Sequence, residues 1–123
     1  MKYLQKTTKY LMDGCKLAWY DEMLQDFMEG KRTMPVTLDM GIHKSCNMRC
    51  IFCYGEHQVP SAEYIPTDKL LEIAKDAGEL GVKGIAIIGD GEPTMNKGLY
   101  QFIEALKENG VEPALATNGL LLD

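Results

Sequence analysis

Three cysteines stand within eight residues: Cys46-Asn-Met-Arg-Cys50-Ile-Phe-Cys53. A Cys-x3-Cys-x2-Cys run puts three thiols on one short loop, a donor set that suits a soft metal or an iron–sulfur cluster. A cubane cluster has four irons, so three thiolates leave one iron without a protein ligand and open to chemistry. A second group worth weighing is the turn Gly89-Asp90-Gly91-Glu92-Pro93-Thr94. Glycines at 89 and 91 let backbone come close to a ligand, Pro93 stiffens the exit, and Glu92 adds a carboxylate that either holds the turn or meets a cation. It is not a phosphate loop, because no Gly-Lys-Ser/Thr follows.

These residues need elements to position them. Val36 to Ile42 alternates and reads as a strand, with the cysteine loop directly after it. Thr67 is placed to cap a helix running to about Leu80, with Leu70, Leu71, Ile73, Ala74 and Ala77 inward and Gly81 as the stop. Val82 to Ile88 contains a nearly continuous apolar run, which suits a strand buried on both faces. A helix over Gly98 to Glu108 turns Leu99, Phe102, Ile103 and Leu106 inward, and Gly110 closes it. Pro113 to Thr117 is a third strand, ending at Asn118-Gly119. Before these, Leu11 to Met28 carries an aromatic and Met stripe at helical spacing, expected to face a core.

Alternation of strand and helix argues for a parallel sheet, an α/β fold. In such sheets ligands gather beyond the carboxyl ends of the strands. The cysteine loop, the Gly89–Thr94 turn and Thr117-Asn118-Gly119 each follow a strand, so all three are expected at one end of the sheet.

The chain has 123 residues, enough for one small domain. Its 46% hydrophobic and 25% charged content is ordinary for a globular protein, and a formal charge of -5 with no basic run argues against a nucleic-acid footprint. The apolar runs are far short of a membrane span and the start lacks a secretory core, so a reducing cytoplasm is expected. There the clustered thiols read as metal or redox ligands rather than disulfides, and Cys15 as a packed structural thiol.

Cys46-x3-Cys50-x2-Cys53 with Phe52 before the last cysteine, Gly89-Asp90-Gly91-Glu92-Pro93 after the second strand and Thr117-Asn118-Gly119 after the third resemble the radical S-adenosylmethionine (SAM) enzymes. The resemblance covers roughly residues 34 to 123, with residues 1–33 as an amino-terminal helical extension. It implies a partial (β/α) barrel, here cut after the third strand. It further implies a 4Fe–4S cluster on Cys46, Cys50 and Cys53, and SAM chelating the open iron. Reductive cleavage of SAM then gives methionine and a 5′-deoxyadenosyl radical that abstracts hydrogen from a substrate. Gly89, Asp90, Gly91, Glu92 and Pro93 are implied to hold SAM, with Asp90 where many members carry glycine. Phe52 either packs near the adenine or packs within its loop. Asn118 either reaches SAM or caps its turn, and Tyr54 either shields the cluster or packs in the loop. The family's ribose contacts and most substrate contacts are expected beyond Asp123. A low-potential donor such as flavodoxin or ferredoxin is the implied partner. The residues after the third strand, together with Tyr54, resemble members that modify peptides or proteins and carry a further cluster domain.

Two rival readings remain. A structural zinc site would use the three cysteines with His57 or His43 as fourth ligand and make the chain a binding module. An electron-carrying iron–sulfur protein would normally want four cysteine ligands, and Cys15 is poorly placed to be the fourth.

Overall fold

The computed structural model describes residues 17, 20–57, 61–89 and 91–122. The chain divides into two compact units, residues 1–33 and 34–123.

In the first unit, α1 spans Asp21–Met28. Its amino-terminal cap, Tyr20, has non-helical backbone angles (φ -119°, ψ 81°), so the helix expected to run unbroken from Leu11 is interrupted there. Residues 1–16, Cys15 among them, lie outside the described residues. In the described part of the stripe expected to face a core, no residue of α1 is buried: Met23 and Leu24 are half-buried, and Phe27 and Met28 are exposed.

The second unit is built as expected, with small differences. Strands β1 (Thr37–Met40), β2 (Gly84–Ile87) and β3 (Glu112–Leu115) form a parallel sheet in the order β1-β2-β3. Helix α2 (Thr67–Glu79) joins β1 to β2, and α3 (Leu99–Glu108) joins β2 to β3. Sequential order with both helices packed into one core is the winding of a (β/α) barrel, not of a doubly wound sheet, whose order reverses.

The core follows from the strand and helix periods. Register pairs Leu38 with Ile85 and Pro113, and Met40 with Ile87 and Leu115, so these residues share a face. Onto that face α2 brings Leu70, Ala74 and Ala77, and α3 brings Leu99, Phe102 and Leu106. Each large apolar side chain buried here contributes about 1.5–3 kcal/mol relative to exposure. Leu71, expected inward, is 41% exposed, because it lies off the Leu70–Ala74–Ala77 stripe. Nor is β2 buried on both faces: Ile85 and Ile87 are sealed, whereas Gly84 and Ala86 are half-buried. The face without helices carries Asp39 and Ala114, both exposed. It is the side that a barrel of this winding turns inward.

Pro66, not Thr67, caps α2. Its carbonyl accepts from Leu70 N–H at 3.0 Å, and Thr67 is already the first helical residue. Among the described residues no helix is long and apolar enough to cross a membrane, and no buried side-chain nitrogen or oxygen lacks a hydrogen-bond partner.

Candidate active site at the carboxyl edge of the sheet

The three loops expected to converge do so, and Glu92 is where they meet. Its side chain is 3% exposed. Oε1 accepts from the Thr94 N–H (3.1 Å), the Thr94 hydroxyl (2.6 Å) and the Thr117 hydroxyl (2.5 Å). Oε2 accepts from Asn118 N–H at 2.9 Å. The Glu92 N–H donates to the Ser45 carbonyl at 2.8 Å. One residue thus ties together the loops after β1, β2 and β3. Burial alone would raise its pKa; the donors from Asn118, Thr117 and Thr94 outweigh burial and hold the carboxyl below the usual range. Of its two expected roles, the structure shows Glu92 holding the turn.

The neighbouring glycines are explained by the same crowding. Gly89 has φ +151°, and a Cβ there would lie 2.7 Å from Gly41 Cα. A Cβ at Gly91 would run into the His43 and Ser45 carbonyl oxygens. At both positions the backbone that approaches closely is this chain's own. Pro93 is buried and opens the short 3-10 turn Pro93–Met95, with Glu92 as its cap. Asp90 lies outside the described residues.

The root of the cysteine loop is clamped as well. Ile42 is buried, and its carbonyl accepts from Ile65 N–H (3.0 Å) and from Asn96 Nδ2 (2.8 Å). Asn96 Nδ2 also reaches the Ile65 carbonyl at 3.0 Å, and its Oδ1 accepts from Gly98 N–H at 2.9 Å. Lys44 N–H donates to the Glu63 carbonyl, and the Ser45 hydroxyl donates to the Ser61 carbonyl at 2.8 Å. His43 Nδ1 accepts from Ser45 N–H at 3.0 Å while the ring stacks on Tyr64. His43 therefore works within the loop root.

Beyond Ser45 the loop opens. Cys46 and Cys53 are exposed, Cys50 is half-buried, and all three thiols are free. Ile51 is 95% exposed, Phe52 88%, and Tyr54 65%. Cys53 N–H closes a turn on the Cys50 carbonyl at 3.0 Å, and Met48 N–H points at Cys46 Sγ at 3.4 Å. Asn118 Nδ2 stands 2.8 Å from Asn47 Oδ1 and 3.9 Å from Cys46 Sγ. The side chain of His57 lies outside the described ones.

Among the described residues no three His, Cys, Asp or Glu side chains stand close enough together to hold a metal ion, so the cysteines share a loop without being gathered. Their donor chemistry fits an iron–sulfur cluster: three free, accessible thiols, with N–H groups directed at one of the sulfurs.

Sequence reasoning passed over Asn96 and Ser45, and gave Thr94 no part beyond its place in the turn. Asn96 had a signal, an Asn two residues before the glycine that precedes a helix, which is the pattern of a side chain bonding its own backbone two residues on.

Comparisons with known proteins agree with this fold. A probable GTP 3',8-cyclase of Pyrococcus horikoshii is 35% identical over 86 residues, covering 69% of this chain and 27% of that protein. The GTP 3',8-cyclase of Helicobacter pylori is 41% identical over 88 residues, covering 68% of this chain and 27% of that protein. The chain thus spans roughly a quarter of the length of these curated relatives. Among solved structures, Streptococcus suis SuiB bound to its precursor peptide SuiA has the same fold over 81% of this chain and 22% of its own, with a TM-score of 0.66 at 22% identity. The Radical SAM superfamily matches residues 40–123, from the last residue of β1 through all three converging loops, and the chain belongs to that family.

Proposed function

We propose that this chain forms the cofactor-binding part of a radical SAM enzyme, with a 4Fe–4S cluster on Cys46, Cys50 and Cys53 and SAM on the iron left without a cysteine. When bound, that pair supplies reductive cleavage of SAM to a 5′-deoxyadenosyl radical, which takes hydrogen from a substrate. The observation that carries this reading is the convergence on Glu92, which ties the loops after β2 and β3 to the root of the cysteine loop, whose three thiols are free. Family membership supports it independently.

The chain's own residues then have distinct tasks. Cys46, Cys50 and Cys53 supply thiolates. Carbonyls of the turn from Gly89 through Asp90 and Gly91 accept from the SAM ammonium, and Pro93 fixes the exit of that turn. Glu92 acts through the loops it ties, since its carboxylate is buried. Phe52, 88% exposed, is free to fold over the adenine. The electron comes from a low-potential donor of the flavodoxin or ferredoxin kind, in a cytoplasmic setting.

The named relatives are GTP 3',8-cyclases by name, and the stretch shared with them is about two thirds of this chain. That likeness supports shared cofactor handling and a nucleotide as first candidate substrate. A peptide or protein substrate is the second reading. It is favoured by an exposed apolar rim: Ile51, Phe52 and Tyr54 on one loop and Leu120, Leu121 and Leu122 on another.

The test is anaerobic reconstitution with iron and sulfide, reduction with dithionite and quantification of 5′-deoxyadenosine after adding SAM. The reading expects 5′-deoxyadenosine from the wild type and none from Cys50→Ala. Tight zinc with no iron–sulfur absorption would replace it with a structural metal module.

A further inference from the structure

Asn118 is tied at three points. Its N–H is held by Glu92 Oε2, and its Oδ1 accepts from Leu120 N–H at 3.0 Å. Because the amide oxygen is committed to Leu120, Nδ2 must face the other way. It faces Asn47 Oδ1 at 2.8 Å and Cys46 Sγ at 3.9 Å. Met48 N–H approaches the same sulfur at 3.4 Å. The buried Glu92 thus orients a residue on the β3 loop, and that residue points a donor at the first cysteine of the β1 loop.

Resting on the cluster reading above, we propose that Asn118 is a positioning residue for Cys46 whose amide donor sets the reduction potential of the bound cluster. Hydrogen bonds to a ligand sulfur favour the more electron-rich, reduced state and so raise the potential. Asn118 also holds Asn47, next to the ligand, and so restrains where Cys46 can move. The role differs from a SAM contact, because it acts on the cluster before any SAM is bound.

Asn118→Asp separates the donor from the fold. The acid keeps the shape and the acceptor for Leu120 N–H, but turns an oxygen toward Cys46 and Asn47. The readout is the midpoint potential of the reconstituted protein without SAM, followed by electron paramagnetic resonance, with a thermal melt as control. The proposal expects Asn118→Asp to melt near the wild type while the equilibrium constant for one-electron reduction falls about tenfold, equivalent to about 59 mV. Because the charge added by Asn118→Asp lowers the potential by itself, Asn118→Ser decides: its hydroxyl keeps the turn bond, is too short to reach Cys46 and adds no charge, and it too must lower the potential. A wild-type potential in a folded variant overturns this proposal and leaves the cluster reading standing. A wild-type protein that takes up no cluster overturns both.

Discussion

The turn around Glu92 and the cysteine loop face each other across one site, yet they are built in opposite ways. Glu92 is buried with donors on both carboxylate oxygens, and at Gly89 and Gly91, just before it, the backbone is packed too closely for a Cβ. Past Ser45 the cysteine loop is exposed, carries large apolar side chains into solvent and makes few internal bonds. The difference teaches a division of labour. The second-strand turn is finished by the chain itself; on the proposed reading, the cysteine loop is finished by the cluster it binds.

That contrast can be broken first at its rigid side. Glu92→Ala leaves the Thr94, Thr117 and Asn118 donors without their acceptor and should cost about 3 kcal/mol, by the scale of buried hydrogen bonds to a charged group. Urea unfolding followed by circular dichroism would show it as a lower midpoint at unchanged slope. Gly91→Ala forces a Cβ into the His43 and Ser45 carbonyls and should cost about 2 kcal/mol, the scale of an overpacked interior. The same melts read it.

Acid sharpens the comparison further. The folded pKa of Glu92 is depressed, so its contribution to stability is complete above its ordinary value near 4.5 and is lost as pH falls through the folded pKa. The wild type should therefore lose stability more steeply below pH 4.5 than Glu92→Gln, in melts repeated across that range. A Gln variant with an equally steep profile would remove Glu92 as the source.

On the open side the expected effects on folding are small. Ile51→Ser and Phe52→Ser should each change stability by less than about 0.5 kcal/mol, since both side chains already lie in solvent. Calorimetry of the free protein checks this. A destabilisation of the size expected for Gly91→Ala would mean that the loop packs onto the unit after all.

Much of this was legible in the sequence because the signals were local. The apolar periods of Leu70–Ala77 and Leu99–Leu106 placed both helices. The strand-then-loop order placed Cys46, Glu92 and Asn118 at one edge. What stayed hidden depended on distance through space. Nothing near Gly91 announces that its neighbours would be the His43 and Ser45 carbonyls, and nothing near Asn96 announces that its amide would hold Ile42, 54 residues earlier. In the described part of the Leu11–Met28 stripe the period misled, because Tyr20 adopts a non-helical conformation and α1 buries no residue fully.

The most direct test of the central claim is electron paramagnetic resonance of the reconstituted, reduced protein with and without SAM. The account predicts a reduced 4Fe–4S signal that shifts when SAM is added and is absent from the variant lacking all three loop cysteines. A cluster signal indifferent to SAM, or one that survives loss of Cys46, Cys50 and Cys53, would contradict it.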